Sequence, residues 1–344
     1  MVRLKDIALR AGVSVMTVSK ALRDEPDVSL ATKGRIKSLS QQMGYVPDSS
    51  AQGLRTRTTK LFGLLISAPT DPNTARMSMA IEERAHDLGY DLILMYTLNT
   101  VEREEFCIRR MLARRVDGLF VTPVYRMEPE ARIYRELVAQ QTKVVLLGPP
   151  APFCKEFPSA QVDDLLASFS ATQHLLGLGH KRIAYLAGPH AAPWAHARFE
   201  GYRRALREAG LDVEDSLVFQ AGSGVEDGVK AASQWLDEGC KATAVQAVND
   251  LVAMGFANTV MTQGIRIPQD LSLVGFGNSL TSEFFRVPLT TVRQPKFRLG
   301  LAAADMMLQL LRGARPDSRR LPAELVIRAS TAPVAALAPT TASS

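Results

Sequence analysis

From residue 61 onward, short and almost uninterrupted apolar runs alternate with longer stretches whose apolar residues recur at helical spacing. Such runs are typical of parallel sheets, because helices cover both faces of the sheet. The predicted strands are 61–67, 90–96, 118–122, 143–147, 182–187, 216–220, 244–248, 271–276, 290–293 and 324–329. With helices between them, they predict a two-lobed, doubly wound parallel α/β core. Its ligand would bind in the cleft beyond the carboxyl ends of the strands.

Length and composition exclude several other classes of protein. At 344 residues the chain is too long for one ordinary domain, and no stretch approaches the ~20 apolar residues that span a membrane. The first residues lack the apolar segment of a secretion signal, so we expect a cytoplasmic protein. Cys107, Cys154 and Cys240 are scattered, and neither they nor the five histidines have metal-ligand spacing. We therefore expect reduced thiols, no metal and no cofactor.

The net charge is concentrated at the amino terminus. The chain has 41 basic and 35 acidic residues, and residues 1–60 contain 11 of the basic and 5 of the acidic ones. The whole excess of +6 therefore lies in this segment. A small basic region on a neutral body suggests a polyanionic partner such as nucleic acid, although a solvated basic surface would give the same count.

The basic segment has the pattern of three short helices. An apolar stripe at helical spacing is formed by Leu4, Ile7, Ala8 and Ala11. Gly12 interrupts it, Ser14 is a good N-cap for a helix at 15–22, and Ser29 can cap a third helix that stops at Gly44. Two helices joined by a short turn that contains glycine form a helix-turn-helix, so we expect an all-α head.

The outward face of the second helix suits DNA. It carries Val15, Met16, Thr17, Ser19 and Lys20. Thr17 and Ser19 can donate to phosphates. Val15, Met16 and Lys20 can reach base edges in the major groove. A merely polar helix surface would carry similar residues, so this pattern alone leaves both interpretations open.

Three segments, Leu4–Leu22, Gly44–Pro47 and Ala51–Arg55, closely resemble the LacI (lactose repressor) family of bacterial transcription regulators. The resemblance continues through the body of the chain. It implies a DNA-binding set that consists of Val15, Met16, Thr17, Ser19, Lys20, Ser29, Leu54 and Arg55. Leu54 would lie in a hinge helix and insert into the minor groove, where an apolar wedge can unstack a base step.

For the body, the resemblance implies a core like the type I periplasmic binding proteins, in which the chain crosses between the lobes near residues 162, 290 and 323. The expected domains are a head at 1–48, a hinge and linker at 49–60, one lobe at 61–162 plus 291–322, a second lobe at 163–290 plus 323–331, and a disordered tail at 332–344.

The resemblance also places an effector site between the lobes. Arg198 matches the effector-binding arginine, and Asn249 matches a pocket residue that can donate and accept. Where the family commonly has an aspartate, this chain has Gly277 and then Asn278. We therefore expect Arg198 to lack its usual carboxylate neighbour and the effector to be anionic, such as a sugar acid or sugar phosphate. Alternatively, Asn278 takes over the aspartate's role.

Other expected contacts are less specific. Ser223 stands where some members of the family have an aromatic wall, which Trp194 can supply instead. Asn73 follows the first strand and should approach the ligand from the first lobe. Asp250 is expected to be the N-cap of the helix that follows it.

These features predict a ligand-responsive transcriptional regulator, by family default a repressor, and not an enzyme. No catalytic triad, phosphate-binding glycine loop or dinucleotide fingerprint is convincing. A homodimer would bind a pseudo-palindromic operator in double-stranded DNA, with half-sites about 34 Å apart. The tail lacks heptads, so we expect dimers without a tetramerisation helix. A corepressor-dependent regulator that senses a nucleobase and a sugar-binding transport receptor are the alternatives, and the basic head disfavours the receptor.

Overall fold

In the computed structural model the chain divides into two compact units, with the boundary between residues 59 and 60. The described residues are 2–46, 58–68 and 72–334, with the backbone alone at 72 and 73. The first unit is a head of three helices and the second is an α/β core. In the described ranges, no helix combines the length and the apolar character needed to cross a bilayer.

The head consists of α1 (Leu4–Ala11), α2 (Val15–Leu22) and α3 (Leu30–Gln42). Gly12 ends α1 with a φ of 65°, in the left-handed region that favours glycine. Both predicted caps are present: Ser14 Oγ accepts from the Thr17 amide at 3.1 Å, and Ser29 Oγ accepts from the Thr32 amide at 3.3 Å. The three helices share a core that includes the fully buried side chains of Ile7, Val18 and Ile36. The predicted helix-turn-helix head is confirmed.

The core contains two six-stranded sheets. The strands are β1 (Leu61–Ile66), β2 (Asp91–Tyr96), β3 (Gly118–Val121), β4 (Val144–Leu147), β5 (Ser159–Val162), β6 (Ile183–Ala187), β7 (Val218–Gln220), β8 (Ala244–Ala247), β9 (Ser272–Gly277), β10 (Thr290–Arg293), β11 (Arg319–Leu321) and β12 (Glu324–Val326). The first sheet has the order β11-β5-β4-β3-β1-β2 and the second β12-β10-β9-β8-β6-β7. All the pairings are parallel except that of β12 with β10.

Helices cover the sheets as the alternating pattern predicts. They are α4 (Pro72–Asp87), α5 (Val101–Ala113), α6 (Arg132–Ala139), α7 (Asp164–Gly177), α8 (Pro193–Glu208), α9 (Val225–Asp237), α10 (Asp250–Thr262), α11 (Leu280–Phe284) and α12 (Lys296–Leu311). Although α12 comes late in the chain, it packs against α4 and the first sheet. Its buried residues Leu299, Ala303 and Met306 share an apolar cluster with Leu64 of β1 and Phe120 of β3.

Three elements were not predicted, and each lacks an apolar pattern of its own. β5 has the sequence Ser-Ala-Gln-Val, β11 has Arg-Arg-Leu at a sheet edge, and α11 has five residues, too few to show a period. The expected boundary at residue 290 is also too early. β10 pairs with β9 and β12 in the second sheet, so the chain returns to the first lobe after Arg293.

The expected disordered tail begins too early as well. Residues 332–334 are bound to the second lobe, because the Ala332 amide donates to Ser272 Oγ at 3.0 Å and the Val334 amide donates to the Leu178 carbonyl at 3.0 Å. His180, 3% exposed, lies under this segment, with Nε2 2.9 Å from the Ala332 carbonyl and Nδ1 2.9 Å from Thr243 Oγ1. The histidine therefore has a structural role, and residues 335–344 lie outside the described part.

Candidate ligand cavity and helix-turn-helix face

A cavity of about 430 Å³ lies between the two lobes of the core, at the carboxyl ends of strands from both sheets. This volume is within the range of small-molecule sites, and the position is the one expected for ligands of parallel sheets. Polar lining residues from the first lobe include Ser67, Thr74, Asn99, Thr122, Tyr125 and Gln161. Those from the second lobe include Asp164, Arg198, Ser223, Asn249, Asp250 and Ser279. Gln294 and Lys296 line it at the second crossover.

Arg198 is the central cation of the cavity wall. It lies on α8, is 7% exposed, and donates from Nε to Asp164 Oδ1 at 2.8 Å and from Nη1 to the Val248 carbonyl at 2.7 Å. Its guanidinium carbon lies 3.6 Å from the ring centroid of Phe276 and 4.7 Å from that of Trp194. These contacts fix the side chain. Because a guanidinium has five N–H donors, some remain for a ligand.

The family's aspartate is absent, but the expectation that its absence leaves Arg198 without a carboxylate neighbour is wrong. Asp164, the first residue of α7, forms a buried ion pair with it, and this partner lies 34 positions away in the chain. Burial raises the pKa of the Asp164 carboxyl, while the charge of Arg198 opposes that shift. Among the lining residues that the structure describes, two are acids, Asp164 and Asp250, and two are bases, Arg198 and Lys296. Their formal charges cancel, so the argument for an anionic effector no longer holds.

Asn249 and Asp250 both line the cavity, but the N-cap expected of Asp250 is supplied by Asn249. Asn249 is the N-cap of α10, since its Oδ1 accepts from the Val252 amide at 2.8 Å, while its Nδ2 donates to the Ser223 carbonyl at 2.8 Å. Asp250 is buried and accepts from the Ser279 amide at 2.8 Å, from Ser282 Oγ at 2.6 Å and from Thr291 Oγ1 at 2.5 Å. It therefore stabilises the loop after β9.

That loop directs Asn278 away from the ligand site. Gly277 lines the cavity with a φ of 137°, whereas Asn278 is not among the lining residues. Asn278 has a φ of 48°, and its Oδ1 accepts from Arg328 Nη2 at 2.8 Å. The structure does not give Asn278 the aspartate's role. It does bring Trp194 and Ser223 to the cavity wall. The side chain of Asn73 lies outside the described part, although the adjacent Thr74 lines the cavity.

Asn73 was the one first-lobe contact expected from the sequence, and Thr122 is the most informative of those that were not expected. Its hydroxyl is buried and has no hydrogen-bond partner among the described residues. A buried polar group without a partner is costly, so its position on the cavity wall marks it as a candidate ligand contact. Its place directly after β3 was the available signal, because side chains there face the cleft.

Glu104 of α5 stabilises the loop that carries Thr122. The fully buried Glu104 carboxylate accepts from the Val124 amide at 2.8 Å and from the Tyr134 hydroxyl at 2.7 Å, and it forms an ion pair with Arg126. Burial raises the pKa of Glu104. These bonds stabilise the loop from Thr122 to Arg126.

In the head, α2 presents the predicted face. Val15 and Met16 are 46% and 63% exposed, while the side chain of Lys20 forms an ion pair with Asp27 in the loop before α3. Thr17 Oγ1 lies 2.9 Å from Ser14 Oγ, and the Ser19 carbonyl accepts from Arg23 Nε at 3.0 Å. Ser29 is engaged as the α3 cap. Leu54, Arg55 and most of the predicted hinge lie outside the described residues.

Comparison with known proteins decides the family. The model for the lacI family of bacterial regulatory proteins matches residues 3–48, and a periplasmic binding protein-like domain matches residues 172–331. The chain is 32% identical over 330 residues to the HTH-type transcriptional repressor CytR of Escherichia coli K12, covering 95% of this chain and 96% of CytR. The chain belongs to the LacI family.

Other regulators match nearly the full length of the chain. The ribose operon repressor of Escherichia coli K12 is 30% identical over 321 residues, which cover 93% of this chain and 96% of that repressor. The lac repressor dimer bound to operator and the anti-inducer ONPF superposes with a TM-score of 0.85 at 27% identity, covering 96% of this chain and 99% of the other. A CelR–cellobiose complex gives 0.74 at 26% identity, with 96% and 100% coverage. As a LacI-family member, this protein is a DNA-binding transcriptional repressor.

Proposed function

We propose that this LacI-family protein binds a pseudo-palindromic operator as a homodimer, and that a small neutral carbohydrate in the cavity between the lobes changes its affinity for that operator. The cavity carries the proposal: hydroxyl and amide side chains from the first lobe face a fixed Arg198–Asp164 pair in the second. Hydroxyl groups of a ligand can donate to the carboxylate and accept from the guanidinium at once.

A neutral ligand fits the charges better than an anionic one. An anion would add a negative charge beside two acids, whose charges are balanced by the two bases among the described lining residues. Removing an anionic ligand from water costs free energy, and a balanced cavity has no excess of positive charge to offset that cost. Phe276 and Trp194 add apolar ring surface, against which the carbon face of a sugar can pack.

The dimer is supported by an apolar face on the second lobe. Leu280 and Phe284, four positions apart on α11, are 80% and 77% exposed. Large apolar side chains on one helical face are typical of interfaces between proteins. The lac repressor structure named above is a dimer on operator, and a dimer here would present two α2 helices to two half-sites. Phe284→Glu should shift sedimentation of the full chain towards monomer, and an unchanged dimer would exclude α11 from the interface.

The ligand class is tested by calorimetry on the full-length protein with matched sets: neutral pentoses and hexoses, the corresponding sugar acids, their phosphates, nucleosides and free nucleobases. We expect binding within the neutral sugars or the nucleosides, which carry a neutral sugar. Tighter binding of the acids or phosphates would contradict the neutral ligand. Binding confined to free nucleobases would favour the corepressor alternative.

Coupling to DNA is measured with a duplex selected from a random pool by the protein itself. Because linkage is reciprocal, a ligand that changes operator affinity must show the same fold-change in its own affinity when operator is present. A change of about 5- to 150-fold in either direction is expected, the common range for allosteric coupling. A ligand that binds the cavity and leaves operator affinity unchanged would disprove its regulatory role.

A further inference from the structure

The DNA-reading helix carries an internal ion pair at one of its three base-reading positions. Lys20 Nζ contacts Asp27 Oδ2, and the two side chains are 38% and 53% exposed. The other two positions, Val15 and Met16, are apolar. Lys20 is therefore the one cation among these three side chains, and its charge is already engaged within the protein.

We propose that Asp27 is a specificity-determining residue that acts through Lys20, holding the ammonium group at the base-reading face and away from the phosphates. This inference rests on the DNA-binding function. A lysine is a flexible point charge, and a free one can swing to the nearest phosphate, which every sequence offers. A lysine that is restrained by a neighbouring carboxylate can reach guanine O6 and N7 with less competition from the phosphates.

The position of Asp27 also lowers the general affinity of the head for DNA. A carboxylate on the DNA-facing side repels phosphates, and it must share or release Lys20 when DNA is bound. Both effects lower the affinity for any duplex. The hydrogen bond from Lys20 holds the pKa of Asp27 below its usual value, and the charge of Lys33 adds a smaller effect in the same direction. The carboxylate therefore stays charged, and the head loses general affinity while it gains discrimination between bases.

The same loop contains a matched control. Asp24 accepts from Lys37 Nζ at 2.6 and 2.7 Å, with side chains 63% and 44% exposed. Lys37 belongs to α3 and not to the base-reading face of α2. Asp24→Asn therefore removes the same charge from the same loop and frees a lysine, but it leaves Lys20 paired.

The experiment begins with selection of a consensus duplex from a random pool by the full-length wild-type protein. Affinities for the consensus and for a scrambled duplex are then measured at several salt concentrations. Asp27→Asn should bind the scrambled duplex about two- to fivefold more tightly, the range set by an exposed ion pair. The ratio of consensus to scrambled affinity should fall, and the slope of log K against log salt should steepen by about 1, as for one added phosphate contact.

Two comparisons make the result specific. Asp24→Asn should keep the wild-type ratio of affinities. In a Lys20→Met background, Asp27→Asn should leave the ratio and the base preference unchanged, because the residue through which Asp27 acts is gone. Circular dichroism melting of each variant confirms that the head is folded.

The outcomes separate this inference from the function on which it rests. If wild type selects no consensus, the DNA-binding function fails and this inference fails with it. If wild type selects one but Asp27→Asn matches wild type in ratio and salt slope, the function stands and the inference is overturned. An equal change in the ratio of consensus to scrambled affinity with and without Lys20 would also overturn it, since Asp27 would then influence base discrimination directly.

Discussion

Each lobe of the core buries one carboxylate–arginine pair near the ligand cavity, and the two pairs serve different purposes. In the first lobe Glu104 pairs with Arg126, whose guanidinium carbon lies 4.7 Å from the ring centroid of Phe153. In the second lobe Asp164 pairs with Arg198, which packs on Phe276. Asp164 and Arg198 line the cavity, whereas Glu104 and Arg126 lie behind its wall. Similar chemistry thus lines the cavity in one lobe and supports its wall in the other.

The largest effect should come from Arg198→Met. It leaves the Asp164 carboxylate buried without its partner, so the free energy of unfolding should fall by about 3–5 kcal/mol, and effector binding should be lost. Denaturant unfolding and calorimetry measure the two effects. Arg204→Met is the control on the same helix, because its pair with Glu208 is half exposed and should contribute less than about 1 kcal/mol.

The double variant Asp164→Asn/Arg198→Met separates the two roles. Removing the stranded charge should restore most of the stability, while effector binding should remain absent. If the double variant bound effector like wild type, the pair would be a scaffold in the second lobe too, and the difference between the lobes would disappear.

The corresponding change in the first lobe should affect stability alone. Arg126→Met strands Glu104 and should also lower the free energy of unfolding by about 3–5 kcal/mol. In Glu104→Gln/Arg126→Met we expect stability to recover partly and effector affinity to stay within about threefold of wild type, since neither residue lines the cavity. A loss of binding as large as that of Arg198→Met would show that the scaffold controls the ligand site.

A smaller effect is expected from the first-lobe contact Thr122. Thr122→Val should weaken effector binding about tenfold, because it removes one hydroxyl partner of the ligand, and Thr122→Ser should retain the affinity. The free energy of unfolding without ligand should not fall, since the hydroxyl has no partner among the described residues. Unchanged calorimetric affinity in Thr122→Val would remove this residue from the site.

The smallest effect is a pH dependence of stability that arises from two histidines of the second lobe. Burial lowers the pKa values of His174 and His180 below 6.5, so the unfolded chain binds their protons more tightly than the folded one. The contribution of these two histidines to the free energy of unfolding is therefore fully present above about pH 6.5, and it is lost as the pH falls through their lowered pKa values. The Tm should drop by a few degrees between pH 7.5 and 5.5. His180→Gln should flatten this dependence, whereas exposed His86→Gln of the first lobe should not.

The sequence predicted the fold well because the strands of parallel sheets are apolar runs with helices between them. It failed where an element is defined by its neighbours: β11 carries two arginines, and its pairing with β5 makes it a strand. The exposed face of α2 was predictable because caps and apolar spacing are local signals.

The ligand site was less predictable for the same reason. Arg198 and Asn249 were found through the family resemblance, but the partner of Arg198 comes from another helix, so no local pattern could reveal it. The role of Asp250 was not predictable for a similar reason, because its three donors come from distant residues 279, 282 and 291. A charge estimate based on one missing aspartate was therefore wrong.

The late position of α12 has a consequence for biosynthesis. This helix covers the first sheet with Leu299, Ala303 and Met306, yet it leaves the ribosome after nearly all of the second lobe. A nascent chain of about half the full length would therefore expose the apolar surface on β1 and β3 to solvent. The second lobe can close around most of its strands first, so maturation of the amino-terminal lobe must await almost the end of translation.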